Sequence, residues 1–563
     1  MVSLLSRRLQ RRARRVYGWK RLRPEQLAAM EAVMKRRDTL VVMPTGAGKS
    51  AVYQVPGLLL DGPTVVVSPL VALQRDQVQG LLRRSGPDAA AVNSSQSSGE
   101  NEAVWDRISE GDVDFLFLAP EQLAKDEVVE QLAAANPALF VVDEAQCVSS
   151  WGHDFRPDYL RLRQVIDRLG RPPVLALTAS AAAPVRADII ARLGMREVRE
   201  IVTGFDRPNI HLEVVPFQDD AVKRRAVVER AAAEPKPGLV YAATRRDAED
   251  YARELADLGL DAAAYHAGLP AGRRSEVHDR FLHGGLDVVV ATSAFGMGID
   301  KPDVRFVLHA SVPGSLDAYY QEIGRAGRDG QPARAVLAYR PQDLGMQRFF
   351  AAGRPDPDTI GQVARRLKSH HAPVSPSRLR EETRLTASRL TAVVNLLEQV
   401  EAVRTTPEGD LEPVEGVSAA RAARQAAELG DAHQQLERSR VDMMRGYAET
   451  TGCRRRFLMG YFGQAQDAPC GCCDQCESAG LAQDGDSTDG GLLAGTGVAR
   501  PTAPEPAGAP DAHPFAPGTQ VRHEQWGSGA VMSEDDGRLT VLFDSVGYRT
   551  LSLAVIREND LLR

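Results

Sequence analysis

Between residues 39 and 340 the chain alternates short apolar runs with stretches of helical spacing. From Thr39 to about Thr203 the runs are Thr39-Leu-Val-Val-Met, Thr64-Val-Val-Val-Ser, Asp114-Phe-Leu-Phe-Leu, Leu139-Phe-Val-Val-Asp and Val174-Leu-Ala-Leu-Thr. Runs this uniformly apolar predict strands buried on both faces, as in a parallel sheet covered by helices. The rhythm restarts after Asp206-Arg-Pro with Gly238-Leu-Val-Tyr, Ala262-Ala-Ala-Tyr-His, Asp287-Val-Val-Val-Ala, Arg305-Phe-Val-Leu-His and Ala335-Val-Leu-Ala-Tyr. The expected class is therefore α/β, with two tandem parallel-sheet domains over residues 1–205 and 206–345.

Past Asp343 the strand rhythm stops. Ser375-Pro-Ser-Arg-Leu through Ala402 reads as two short helices with an apolar stripe of Leu390, Val393, Val394, Leu396 and Leu397, so residues 346–418 are expected to form a helix-turn-helix or winged-helix-like unit. Helical spacing returns from about Ala419 to Phe462 and runs into a cysteine cluster, giving a helical module over 419–476. Residues 477–517 are rich in Gly, Ala, Pro and Asp with few large apolar side chains, which predicts a disordered linker. Alternating runs such as Leu539-Thr-Val-Leu-Phe and Tyr548-Arg-Thr-Leu-Ser-Leu, with Gly-containing turns, predict a small β-barrel over 518–563.

Composition, charge and cysteine usage change this picture. At 43% hydrophobic and 26% charged residues, the 563-residue chain has the balance of a globular multidomain protein, and it contains no long apolar run, so a membrane span is not expected. The N-terminus runs straight into Arg7-Arg8 without the apolar core of a signal peptide, so secretion is not expected, and with few cysteines outside one cluster the expected location is cytoplasmic, nucleoid-associated. A net charge of -6 excludes a globally cationic nucleic-acid binder and leaves only local patches to grip phosphates. The basic stretch from Arg7 to Arg23 is one such patch or, alternatively, a solvated helix. Of six cysteines, Cys453, Cys470, Cys473 and Cys476 have spacing suited to a tetrahedral structural Zn²⁺ site; Cys472 is a competing candidate within the cluster.

Three motifs carry chemistry. Met43-Pro-Thr-Gly-Ala-Gly-Lys-Ser50, directly after a strand, is a phosphate-binding loop in which Thr45, Gly46, Ala47 and Gly48 offer backbone N–H groups. Lys49 reaches the β and γ phosphates of ATP, and Ser50 ligates Mg²⁺. Val141-Val-Asp-Glu-Ala-Gln146 ends a later strand with a carboxylate pair: Asp143 holds Mg²⁺ through water, and Glu144 orients and deprotonates the attacking water. Gln321-Glu-Ile-Gly-Arg-Ala-Gly-Arg328 in the second domain supplies cations to the γ phosphate, with Arg325 and Arg328 on one face if the segment is helical. Gln321 is grouped with them as a catalytic candidate. A nucleotide held by one domain and completed by the other makes hydrolysis depend on closure of the cleft.

Together these segments resemble RecQ-type DNA helicases of superfamily 2. The resemblance rests also on Tyr17-Gly-Trp-Lys-Arg-Leu-Arg-Pro-Glu-Gln26, Val67-Ser-Pro-Leu, Asp143 through Pro157, Gly204-Phe-Asp-Arg-Pro-Asn-Ile and Thr292 through Pro302. Cys453-Arg-Arg-Arg and Cys470-Gly-Cys-Cys-Asp-Gln-Cys476 extend it to the family's zinc module. It implies two RecA-like domains and an adenine site made by Trp19, Arg23 and Gln26. It also implies a loop, Trp151-Gly-His-Asp-Phe-Arg156, that senses single-stranded DNA through Trp151, His153, Phe155 and Arg156. Aromatic faces stack on bases and an arginine binds phosphate, which suits that role. The sequence departs from the family at Gln146, where His is usual: an amide bridges by hydrogen bonds but carries no charge. It departs again after the zinc module, where the family's winged helix is replaced by the linker. Gly518 through Val531 with Val541-Leu-Phe-Asp resembles the Tudor-like domain of UvrD-type helicases.

The expected activity is ATP- and Mg²⁺-dependent 3′ to 5′ unwinding of DNA in repair and recombination, the polarity being implied by the resemblance alone. Single-stranded and tailed or forked DNA are the expected substrates, and single-strand-binding protein or RNA polymerase the candidate protein partners. The alternatives are a DNA-stimulated translocase that remodels protein–DNA complexes without separating strands, a DNA-binding regulator with a dead motor, and an RNA helicase.

Overall fold

The computed structural model describes residues 3–481 and 515–563, apart from 70, 84–86, 94–95, 150–155, 296–300, 346, 348–354, 371, 407–408, 467 and 536. The expected linker lies almost wholly outside the described residues. The first domain is built on seven strands: β1 Thr39–Val42, β2 Thr64–Val67, β3 Ala89–Val92, β4 Phe115–Leu118, β5 Leu139–Val142, β6 Val174–Thr178 and β7 Arg199–Val202. All pair in parallel, in the order β3-β4-β2-β5-β6-β1-β7. Alternate side chains of each central strand enter two separate cores. Val41, Val66, Val141 and Leu175 face one core, while Leu40, Val65, Phe140 and Val142 face the other. Each such buried apolar side chain contributes about 1.5–3 kcal/mol, which is why the strands carry no polar alternation.

The second domain repeats the plan with β8 Ile210–Pro216, β9 Gly238–Tyr241, β10 Ala262–Tyr265, β11 Val288–Ala291, β12 Phe306–His309 and β13 Ala333–Tyr339. Its parallel order is β10-β11-β9-β12-β13-β8. The chain therefore contains two tandem RecA-like domains. Three strands were not foreseen from the apolar runs. β3 is Ala89-Ala-Ala-Val, too weakly apolar to stand out, while β7 and β8 are edge strands in which polar residues alternate with apolar ones.

Residues 355–416 pack around a core that includes Ile360, Leu367, Leu379, Leu390 and Leu397 and is shared with Ala422 and Ala426 of the helix that follows. Helices Pro357–Lys368, Pro376–Thr383 and Ala387–Gln399 precede an antiparallel hairpin of β14 Val403–Thr405 and β15 Leu411–Pro413, and Val374 bridges to Leu411. The order helix, single bridge, helix, helix, hairpin is that of a winged helix. Helix Ala419–Glu449 then leads through helix Arg454–Tyr461 to the cysteines. The C-terminal sheet is antiparallel, β16 Gln520–His523, β17 Gly527–Asp535, β18 Arg538–Phe543 and β19 Gly547–Ser552, with a bulge between Val531 and Ser533. It docks on the helical module: the Tyr548 and Tyr461 rings stack 4.8 Å apart, Ser439 Oγ accepts the Tyr548 N–H at 3.0 Å, and Arg456 pairs with Asp535 at 2.9 Å. Among the described residues, no helix is long and apolar enough to cross a membrane.

Candidate functional site

The loop after β1 turns on two glycines, Gly46 and Gly48, at φ +80 and +78, a region open to glycine at little cost, and this lets the backbone curl toward a phosphate. A Cβ on Gly48 would stand 2.6 Å from Gln26 Nε2, so this glycine is also needed for space. Gln26 donates from that nitrogen to the Ala47 and Gly48 carbonyls at 3.0 and 3.1 Å, and its Oε1 accepts the Arg23 N–H at 3.0 Å. The adenine candidate thus braces the phosphate loop itself. Trp19 is half-buried and stacks on Tyr17 at 4.4 Å, and a cavity of about 910 Å³ opens between Trp19, Arg23, Gln26 and Ser50. Gln77, which carries no signal in the sequence, donates to Ser50 Oγ at 3.3 Å.

At the end of β5, Asp143 is buried, and this burial with Glu144 beside it pushes its carboxyl up to about 7, while Lys49 opposes the shift. Glu144 is held in the left-handed region at φ 49, ψ 50, an uncommon conformation for a non-glycine residue. Its carboxylate accepts Gln146 Nε2 at 2.9 Å, and Gln146 Oε1 accepts the Thr178 hydroxyl at 2.6 Å. The departure from the family's His therefore yields a neutral bridge from the end of β6 to the carboxylate pair.

The second domain meets this site through the turn that follows helix Leu316–Ile323. Arg328 packs against the phosphate loop, with its Cγ 3.0 Å from where a Cβ on Gly46 would lie. A cavity of about 370 Å³ is enclosed by Arg23, Gln26, Gly46, Arg207 and Arg328. Arg325 and Arg328 do not share a helical face, because the helix ends at Ile323. Arg325 is instead only 3% exposed and lies beside Tyr241, and Gln321 is half-buried on the helix. The sequence assigned no role to Arg207, although its motif was legible. Its guanidinium donates to the carbonyls of Thr45 at 3.1 Å, Gly324 at 3.2 Å, Ala326 at 2.8 Å and Gly327 at 3.2 Å. One side chain in the interdomain connection thus ties the phosphate loop to the arginine turn.

Of the expected DNA-sensing loop, Trp151, His153 and Phe155 lie outside the described residues. Arg156 is described, and its guanidinium donates to the Pro69 carbonyl at 2.9 Å, so it anchors the loop's end to the first domain.

The sulfurs of Cys453, Cys470, Cys473 and Cys476 all lie within 4.8 Å of one another. Four thiols converging this closely, two of them buried, fit a structural Zn²⁺ ion and leave no open position for catalysis. Cys472 is not one of the four converging sulfurs: it touches only Cys470 among them, and its sulfur also contacts Arg455 at 3.3 Å and the Pro208 carbonyl at 3.8 Å. Arg455, 3% exposed, also donates to Asp206 at 2.5 Å and to the Ile210 carbonyl at 2.6 Å, and Arg454 pairs with Asp474 at 2.8 Å. The cysteine module is therefore bolted to the interdomain connection one residue before Arg207.

Four families match the chain in order: DEAD/DEAH box helicase over residues 23–188, helicase conserved C-terminal domain over 222–330, RecQ zinc-binding over 417–477, and a family of unknown function, DUF3553, over 515–558. A probable ATP-dependent DNA helicase RecS of Bacillus subtilis is 41% identical over 60% of this chain and 68% of its own. The ATP-dependent DNA helicases RecQ of Bacillus subtilis and Pasteurella multocida are 41% and 33% identical, over 59% and 82% of this chain and 56% and 61% of theirs. Among solved structures, Mycobacterium smegmatis helicase Lhr bound to ssDNA and AMP-PNP aligns over 77% of this chain and 62% of its own, with TM-score 0.50 and 22% identity. Helicase MrfA bound to DNA aligns over 73% and 59%, with TM-score 0.52 and 18% identity, and both likenesses bear on the fold alone. The similarity to RecS, spanning more than two thirds of that protein, makes the assignment: the chain belongs to the RecQ family of superfamily 2 ATP-dependent DNA helicases.

Proposed function

We propose that this chain is a DNA motor that hydrolyses ATP in the cleft between its two RecA-like domains and uses the resulting opening and closing to move 3′ to 5′ along one strand, separating duplexes in repair and recombination. The observation that carries the reading is the seam at the phosphate loop, where Arg328 lies on Gly46 and Arg207 ties Thr45 to the arginine turn. When bound, Mg²⁺-ATP supplies the scissile γ phosphoryl group. Lys49 binds the β and γ phosphates, Ser50 and Asp143 are the candidate Mg²⁺ ligands, and Glu144, oriented by Gln146, takes the proton of the attacking water. Arg328 offsets the charge that develops as the phosphoryl group transfers, a contribution that exists only while the cleft is closed. Release of product removes the reason for closure, and the two domains part. ATPase assays with and without single-stranded DNA test this: stimulation by DNA that vanishes in Arg328→Ala is expected, and hydrolysis indifferent to DNA would contradict it.

A second reading, a DNA-stimulated translocase that remodels protein–DNA complexes without strand separation, is favoured by one observation. The segment after the cysteine module is a β domain docked on that module, where the family's pattern has a strand-separating winged helix.

A further inference from the structure

We infer that the winged-helix unit before the cysteine module is a second DNA site, one that grips duplex DNA through the turn and second helix of its helix-turn-helix. The inference rests on the DNA-motor reading but concerns a different surface. Helices Pro376–Thr383 and Ala387–Gln399 are joined by a three-residue turn and capped by Ser375 and Thr386, whose hydroxyls accept the Arg378 and Arg389 N–H groups. In this geometry the second helix presents its N-terminal residues to the major groove. Its inner stripe, Leu390, Val393, Val394 and Leu397, is buried, and its outer stripe is Ser388, Thr391 and Asn395, small polar residues able to approach base edges.

Charge separates this surface from the rest of the chain. The protein carries a net -6, yet from Arg365 to Arg389 seven Lys or Arg stand against only Glu381 and Glu382, and no acidic residue falls between Glu382 and Glu398. Glu382 is itself surrounded by Arg366, Arg378 and His370. Arg380, Arg384 and Arg389 are exposed and make no ion pair among the described residues. Arg384 occupies the turn at φ 58, a conformation that favours glycine, so its long cationic side chain is kept at a backbone cost. Cations presented in this way neutralise phosphates on either side of a groove.

The unit is also fixed where a duplex would be useful. Glu398, at the far end of the second helix, pairs at 3.3 Å with Arg161 of the first RecA-like domain. Arg161 closes the short helix Pro157–Arg161 that directly follows the candidate single-strand loop. The helix that would lie against the duplex is thereby held to the first RecA-like domain at its far end.

The test uses the full chain, its R380A/R384A/R389A variant, and a blunt duplex of about 20 base pairs, long enough for a single helix-turn-helix site. Binding is followed by fluorescence anisotropy from about 50 to 200 mM salt without nucleotide. The variant should lose about tenfold or more in duplex affinity, and the salt slope should fall by about three units, one per lost phosphate contact. Single-strand affinity and single-strand-stimulated ATP hydrolysis should stay within about twofold, because those contacts lie elsewhere. A second variant, Thr391→Glu, leaves the arginines and the core in place and should weaken duplex binding alone. Equal duplex binding by wild type and both variants would overturn the inference and assign this surface to another partner, as would parallel loss on single and double strands. Lys49→Ala, tested alongside, should keep full duplex binding while losing hydrolysis, so failure of the motor reading and failure of this one give different patterns.

Discussion

At the scale of residues, chemistry was most legible where it depends on a local pattern. Lys49, Ser50, Asp143 and Glu144 announce themselves by following apolar strands, and the fold brings them to one cleft because β1 and β5 flank β6 in a single parallel sheet. Residues that act through distant contacts were not legible: Gln77 touches Ser50, and Arg207 reaches four carbonyls across two domains, but neither carries a spacing that says so. Arg325 and Arg328 show the opposite case, since their three-residue spacing suggested a shared face that the end of the helix at Ile323 removes. Arg328→Ala should cut kcat by about 10³-fold, with a much smaller change in KM for ATP, measured by steady-state hydrolysis in the presence of DNA. Arg325→Ala, which opens a hole beside Tyr241, should instead lower the thermal midpoint as well as the rate. Gln146→Ala breaks the Thr178–Gln146–Glu144 bridge and should lower kcat by about tenfold or more while nucleotide binding persists, as read by ATP titration against single-turnover rates.

At the scale of elements, the four cysteines were readable from their spacing, but choosing among five required the fold. Cys472 reaches Arg455 and Pro208 and lies outside the converging set, whereas Cys473 is wholly buried and its sulfur converges with those of Cys453, Cys470 and Cys476. Purified Cys472→Ser should retain one equivalent of zinc by elemental analysis, and Cys473→Ser should lose most of it. The reverse pattern would reassign the ligand. Because a buried cation left without its partner is costly, Asp474→Ala, which strands Arg454, should destabilise the module by about 3 kcal/mol in denaturant unfolding. The two parallel sheets were expected because buried strands need uniform apolar runs. β7 and β8 escaped notice because edge strands tolerate polar residues, and their alternation looks like that of a loop boundary.

At the scale of the whole molecule, the arginine motif foretold that the second domain faces the phosphate loop, but no local pattern foretold how the cysteine module and the C-terminal sheet sit on the motor. The helix that precedes Arg328 is held at its start, where Tyr461 hydrogen-bonds Asp317, and at Tyr320, whose hydroxyl donates to the Phe205 carbonyl at 2.8 Å. Phe205 stacks on Phe462 at 4.7 Å, and Arg455 grips Asp206, so the cysteine module braces both the arginine turn and the interdomain connection. The C-terminal sheet joins the same brace through Tyr548. Gly547, at φ +70, leaves room there for Ser439, whose Oγ would lie 2.2 Å from a Cβ. Gly547→Val should therefore release the C-terminal sheet, seen as faster proteolytic removal of the last 50 or so residues, with the RecA-like domains intact. The central claim is that closure of this braced cleft on ATP drives strand separation with one polarity. It is tested most directly by unwinding of matched duplexes bearing a 3′ or a 5′ single-stranded tail, with ATP and Mg²⁺, beside Lys49→Ala. Unwinding from the 3′ tail alone, abolished by Lys49→Ala, is the predicted result; DNA-stimulated hydrolysis with neither duplex opened would contradict it.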